Sequence, residues 1–156
     1  MLPKVYIETT IVSYLTALPT RDLIRLGHQL LTQEWWAERA RYELFASPVV
    51  VQEASAGDPA AAARRHEALR GLTILQRSAE ATHLAGALVA RGGLPAKAAV
   101  DALHVAIAVV NGMDYLLTWN CTHIANATMR GKIEAICRDL GFEPPVICTP
   151  EELTEE

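Results

Sequence analysis

Five short runs of apolar, β-favouring residues recur along the chain, at Lys4 to Ile7, Leu44 to Ala46, Leu72 to Leu75, Tyr115 to Thr118 and Val146 to Cys148. Between each run and the next lies at least one stretch with helical signals, so neighbouring strands cannot be joined as tight hairpins. Strands separated by helical crossovers pair in parallel, and a parallel sheet needs helices over both faces. The pattern therefore predicts an α/β fold, with helices packed above and below a five-stranded parallel sheet.

Helix boundaries are written locally. After the first strand, Thr9 or Thr10 is placed to cap a helix over Ile11 to Ala17. A long helical stretch from Thr20 to about Glu43 carries Leu23, Leu26 and Leu30 on one stripe, with Ile24, Leu31 and Trp35 beside it, a face broad enough to be buried. Ser47-Pro48 and Asp58-Pro59 each pair a capping side chain with a proline at the first helical position. They open helices over Val49 to Ala56 and on to Arg70, stopped by Gly57 and Gly71. Further helices are expected over Ser78 to Arg91, Ala96 to Val110 and Arg130 to Leu140. There are no internal repeats, linkers or low-complexity segments.

The 156 residues fit one domain, read as 1–150, followed by an acidic segment over 151–156. Net charge is -4, but Glu151, Glu152, Glu155 and Glu156 account for that excess, leaving fourteen acids against fourteen basic side chains. Charge alone thus neither requires nor excludes a nucleic-acid partner. No apolar run approaches the roughly 18 to 20 residues that span a bilayer, and Met-Leu-Pro-Lys does not open a signal sequence, so a cytoplasmic location and no membrane association are expected. Cys121, Cys137 and Cys148 have no C-x-x-C spacing and read as reduced thiols.

In such sheets ligands bind beyond the carboxyl ends of the strands. Four polar residues fall there: Glu8 directly after the first strand, Glu53 in the helix after the second, Asp101 in the apolar helix before the fourth, and Asn120 just after the fourth. Asp101 is flanked by Ala98, Ala99, Val100, Ala102, Leu103, Val105, Ala106 and Ile107, on a helix that reads as buried nearly all round. A carboxylate there requires a paired charge, hydrogen bonds or a metal. A structural ion pair accounts for Asp101 taken alone, an exposed helix position for Glu53, and capping of the next helix for Glu8.

These segments resemble a known family. Val-Tyr-Ile-Glu-Thr-Thr-Ile-Val-Ser-Tyr-Leu over 5–15 is similar to the opening strand and first acid of PIN domains, and Ser47-Pro48-Val49-Val50-Val51-Gln52-Glu53 to their second acidic motif. Asp101-Ala102-Leu103-His104-Val105-Ala106-Ile107-Ala108 and Tyr115-Leu116-Leu117-Thr118-Trp119-Asn120 continue it in order and spacing, over nearly the whole chain. In size the chain most resembles the VapC toxins of toxin–antitoxin pairs. The resemblance implies a three-layer α/β/α sandwich and a metal-dependent ribonuclease with catalytic Glu8, Glu53, Asp101 and Asn120. It also implies Mg2+ or Mn2+ held by Glu8, Glu53 and Asp101, an RNA substrate, an antitoxin partner and a homodimer. Glu8 stands where the family usually has Asp, which shifts a metal by roughly one methylene, and neutral Asn120 stands where Asp is common, which removes a charge that helps hold a second ion.

Other residues keep two readings. His123 follows the fourth strand and either meets a scissile phosphate or is structural; Cys121 beside it lacks the further pair a zinc site needs. His104, on the same helix as Asp101, reads as a hydrogen-bonded core histidine. Thr10 either orients Glu8 or caps a helix. Arg64, Arg65 and Arg70 read as a solvated helix face, whereas Arg130, Lys132 and Arg138 are candidates for phosphate contact. Adjacent Trp35 and Trp36 point apart, leaving one for a partner surface. The rivals are a catalytically silent PIN-like module that binds RNA or protein, and an RNA-processing nuclease with no toxin role. A nucleotide-binding domain is disfavoured because no glycine-rich phosphate loop follows a strand.

Overall fold

A computed structural model of the chain describes residues 1–155. The strands are β1 (Lys4–Ile7), β2 (Glu43–Ala46), β3 (Thr73–Ile74), β4 (Tyr115–Leu117) and β5 (Val146–Cys148). They form one parallel sheet in the order β3-β2-β1-β4-β5. Seven α-helices are present among the described residues: α1 (Thr9–Thr16), α2 (Leu23–Ala37), α3 (Pro48–Ala54), α4 (Pro59–Leu69), α5 (Ala79–Ala90), α6 (Ala99–Val110) and α7 (Ala127–Asp139). Helices α1 to α4 pack on one another, as do α5 to α7, giving the expected three-layer α/β/α sandwich.

Two capping signals act where they were read: Ser47 and Asp58 each accept a hydrogen bond from a backbone N–H in the first turn of α3 and α4, with Pro48 and Pro59 at the start of their helices, while Ser78, expected as the first helical residue, caps α5. Gly71 takes φ +87° just after α4, a conformation that strains a side chain bearing Cβ. The core is built from β1, β4 and the apolar body of α6, with Val5, Tyr6, Ile7, Ala102, Val105, Ile107, Leu116 and Leu117 sealed from solvent.

Three expectations change. The long helix predicted from Thr20 to Glu43 is α2 alone, ending at Ala37; a 3-10 turn over Arg39–Arg41 follows, and Glu43 is already strand. Its leucine stripe is not buried: Leu23 is 82% exposed, Ile24 74% and Leu30 51%. The helix instead buries Gln29, Thr32 and Trp35, because the segments after α1 and after β4 satisfy the polar groups. Gln29 Nε2 donates to Leu18 O, and Thr32 Oγ1 accepts from the Trp119 indole. Of the tryptophan pair, Trp35 is buried and Trp36 is half-buried beneath the Arg39 guanidinium. Finally, α6 is not buried all round. Its first turn emerges at the surface, with Val100 49% exposed and Asp101 half-buried.

The segment after β5 lies against the body. Thr149 N donates to Glu152 Oε1, Arg130 reaches the same carboxylate, and Leu153 packs on the core. No helix among the described residues is long and apolar enough to cross a membrane.

Candidate functional site

Strand order decides where a site can form. From β1 the chain moves outward through β2 to β3, then returns to the other side of β1 for β4 and β5. The crevice at the carboxyl ends of β1 and β4 is therefore the topological switch point, where open α/β sheets bind ligands. Glu8 sits at its floor: its N–H still pairs with Leu117 O at 3.1 Å, and its residue is 3% exposed.

Glu8 is also the N-cap of α1, its Oε1 accepting from Thr10 N at 3.2 Å, so the cap is the acid and not the threonines. Thr10 Oγ1 donates to the same oxygen and accepts from Trp119 N at 2.8 Å; Thr118 Oγ1 donates to it at 2.6 Å. Thr10 thus both orients the carboxylate and ties α1 to the segment after β4. Burial pushes the Glu8 carboxyl above the usual carboxylate range, against the hydrogen bonds from Thr10 and Thr118, which pull it down.

Glu53, near the end of α3, reaches the same crevice. Its Oε1 accepts from Thr9 Oγ1 at 2.7 Å and lies 2.5 Å from His104 Nε2. Partial burial would raise its pKa, but the hydrogen bonds from His104 and Thr9 bring it below the usual range. His104 is a hydrogen-bonded core histidine, as its apolar neighbours suggested, but one of its partners is a candidate site carboxylate. Its other nitrogen, Nδ1, lies 2.7 Å from Tyr6 Oη, which lies 2.8 Å from Ser47 Oγ.

Asp101 arrives from the other layer. Since α6 leads back to β4, its first turn lies at the carboxyl edge, and there Asp101 Oδ2 meets His123 Nδ1 at 2.9 Å. Asn120 Oδ1 accepts from His123 N at 3.1 Å, so Asn120 shapes the turn that presents His123. The structure thus brings Glu8, Glu53 and His104 together, with ligand atoms within 4.8 Å of one another. It pairs Asp101 with His123 and ties Asn120 to the same turn, and does not bring Asp101 into that group.

Whether these residues suit a hard cation can be judged from their unused atoms. Glu8, Glu53 and Asp101 each spend one oxygen on protein donors; among the described residues no hydrogen bond reaches the second oxygen. Glu8 and Glu53, with an oxygen each to spare and Glu8 almost fully buried, offer hard donors of the kind that suit Mg2+ or Mn2+, whereas Asp101, expected as the third ligand, is not in the group that converges among the described residues. Both nitrogens of His104 are engaged, so it is not a free ligand.

The basic residues are largely committed elsewhere. Arg64 Nε caps α1 through Thr16 O, and Arg65 binds the Ala54 and Ala56 carbonyls, a structural duty more specific than a solvated face. Arg130 reaches Ile147 O and Glu152, and Arg138 pairs with Glu143. Cys121 is exposed, Cys137 and Cys148 are buried, and all three are free thiols.

Among solved structures, one chain of the VapBC2 complex of Rickettsia felis, determined with a DNA fragment from its promoter, matches at a TM-score of 0.57 and 16% identity, covering 94% of this chain and 98% of that one. The fold is that of the VapC toxins. VapC20 of Mycobacterium tuberculosis, a toxin that cleaves the sarcin-ricin loop, matches this PIN-like VapC fold at a TM-score of 0.53 and 18% identity, over 72% of this chain and 86% of that one. No family model matches the sequence, and no curated protein is detectably similar to it.

Tyr6, Ser47, Thr9 and Thr118 support the candidate site residues through hydrogen bonds that sequence reasoning did not single out. Thr118 had a usable signal, a hydroxyl at the carboxyl end of the strand leading to Asn120. Tyr6 and Ser47 had none, since one reads as strand core and the other as a helix cap.

Proposed function

We propose that this protein is a Mg2+- or Mn2+-dependent endoribonuclease, the toxin of a toxin–antitoxin pair. The observation that supports the proposal is the convergence of Glu8 and Glu53, with His104, at the switch point of a VapC-like fold, both acids keeping an uncommitted carboxylate oxygen, while Asp101 is held by His123 on the turn after β4. Glu8 and Asp101 hold the cation through their uncommitted oxygens. Glu53 is the third ligand or the base that positions the attacking water. A bound divalent cation supplies a water of lowered pKa and neutralises charge building on the phosphodiester. Thr10 and Thr118 keep Glu8 oriented, and Asn120 holds the turn that places His123 against Asp101. RNA is the substrate we propose, supported by the likeness to VapC20, a toxin that cleaves the sarcin-ricin loop.

The VapBC2 likeness supports an antitoxin partner, and a second copy of the chain is the other partner we propose. Leu18, Leu23, Ile24 and Leu30, exposed on and before α2, support a protein-contacting surface on that helix.

Purified protein incubated with single-stranded RNA in Mg2+, Mn2+ or chelator tests the activity. Cleavage should require the metal, and Asp101→Asn should abolish it while leaving the protein folded. Metal should also raise the Tm, with a smaller gain for Glu53→Gln, since a ligand of the folded state stabilises it. RNA binding without cleavage by the parent would establish the silent module instead.

A further inference from the structure

The buried row of Ser47, Tyr6 and His104 is not used by the chemistry above, yet it ends on Glu53. All three side chains are sealed from solvent. Their proton positions can be read from what each atom must do. Ser47 Oγ accepts from Val50 N at 3.4 Å, and among the described residues Tyr6 Oη, 2.8 Å away, is the one acceptor in reach of its own proton. Tyr6 then has a single proton to give, and His104 Nδ1 stands at 2.7 Å to accept it. A nitrogen that accepts from Tyr6 carries no proton, so the ring proton lies on Nε2, the atom 2.5 Å from Glu53 Oε1. Every donor in the row meets an acceptor, and no buried polar atom in it is left over.

We propose that His104 is a positioning residue for Glu53: Ser47 and Tyr6 hold its ring as the Nε2–H tautomer, which ties down one Glu53 oxygen and leaves the other for the cation. This rests on the metal-dependent reading given above. A group that hydrogen-bonds a metal ligand from behind orients it, and removing such a group weakens metal binding by roughly 10- to 100-fold. Thr9 alone remains to hold Glu53 when His104 is gone, and Glu53 is the most exposed carboxylate of the three, hence the one with most freedom to lose.

The test uses the full chain. Mn2+ affinity is measured by calorimetry for the parent, His104→Leu and His104→Gln, alongside 15N-edited NMR of the His104 ring in the metal-free parent. Glutamine places an N–H donor near the position of Nε2, so His104→Gln should bind Mn2+ within about threefold of the parent, whereas His104→Leu should weaken it by about tenfold or more. The ring should show protonated Nε2 and unprotonated Nδ1. A proton on Nδ1 of the neutral ring, or unchanged Mn2+ affinity in His104→Leu, overturns the proposal; equal loss in both variants makes His104 a ligand and also overturns it. If His104→Leu does not fold, the glutamine variant and the ring tautomer decide. A parent that binds no Mn2+ at all sinks the metal-dependent reading itself, an outcome distinct from either of these.

Discussion

Tyr6→Phe removes one oxygen atom from the centre of the structure, and its cost follows from what that oxygen does. Tyr6, Ser47 and His104 are all fully buried, and the hydroxyl makes hydrogen bonds of 2.8 Å to Ser47 Oγ and 2.7 Å to His104 Nδ1. Each is worth about 1 kcal/mol net, and phenylalanine also strands a donor on Ser47 and an acceptor on His104, at about 1–3 kcal/mol per buried orphan. Removing the desolvated hydroxyl itself returns part of this, so the expected loss is about 2–4 kcal/mol. For a chain of this size that is a fall in Tm of roughly 5–12 °C. Urea unfolding of the metal-free protein, followed by tryptophan fluorescence, reads it as a lower midpoint with unchanged slope. Tyr14→Phe is the matched control: it is half-buried, its hydroxyl makes no hydrogen bond among the described residues, and it should change stability by less than about 0.5 kcal/mol. Ser47→Ala, which deletes one of the stranded groups, should cost less in the Tyr6→Phe background than in the parent, by about 0.5 kcal/mol or more. A Tyr6→Phe loss no larger than the Tyr14 control would refute the buried row and the proton positions drawn from it.

Three further outcomes are expected. The Glu8 carboxyl is raised in the folded state by burial, so metal-free stability should fall as pH rises from the ordinary carboxylate range through that raised value; Glu8→Gln should remove this part of the decline and be at least as stable at neutral pH, as melting curves in chelator across pH will show. Asn120→Asp keeps an oxygen for His123 N while adding a charge beside Asp101, and should lower the metal concentration for half-maximal cleavage and reduce Tm in chelator; unchanged curves would remove residue 120 from the metal's surroundings. Replacing the exposed pair as Leu23→Glu with Ile24→Lys should leave the monomer's Tm within about 1 °C and shift any self-association measured by light scattering, and a parent that is monomeric throughout would end the homodimer proposal.

What the sequence determined by itself is the local part of the structure. Ser47-Pro48, Asp58-Pro59 and Ser78 open helices because the partners of a capping side chain lie within three residues of it, and Gly71 ends one because only its own φ is at issue. The same reasoning placed Glu8 and Asn120 at the carboxyl ends of two strands. Glu53 and Asp101 were assigned to that edge from the crossover pattern, before any contact was known. Where local signals competed, they misled: the Leu23, Ile24 and Leu30 stripe has the periodicity of a buried face, yet α2 turns Gln29, Thr32 and Trp35 inward.

Only the tertiary structure decided which partners these residues have. The order β3-β2-β1-β4-β5 puts β1 beside β4, more than a hundred residues away in the chain, and so makes the end of β1 a crevice. Thr118 meets Glu8, His104 meets Glu53, and Asp101 turns to His123 across separations of 110, 51 and 22 residues. Such pairings are set by how two helical layers seat on one sheet. Helical or strand periodicity records which face of an element is apolar, not which distant side chain will lie against it. His104 shows the difference: from its neighbours it is a core histidine, and only the tertiary packing that brings it to Tyr6 of β1 and Glu53 of α3 makes it the residue that holds a carboxylate at the edge of the sheet.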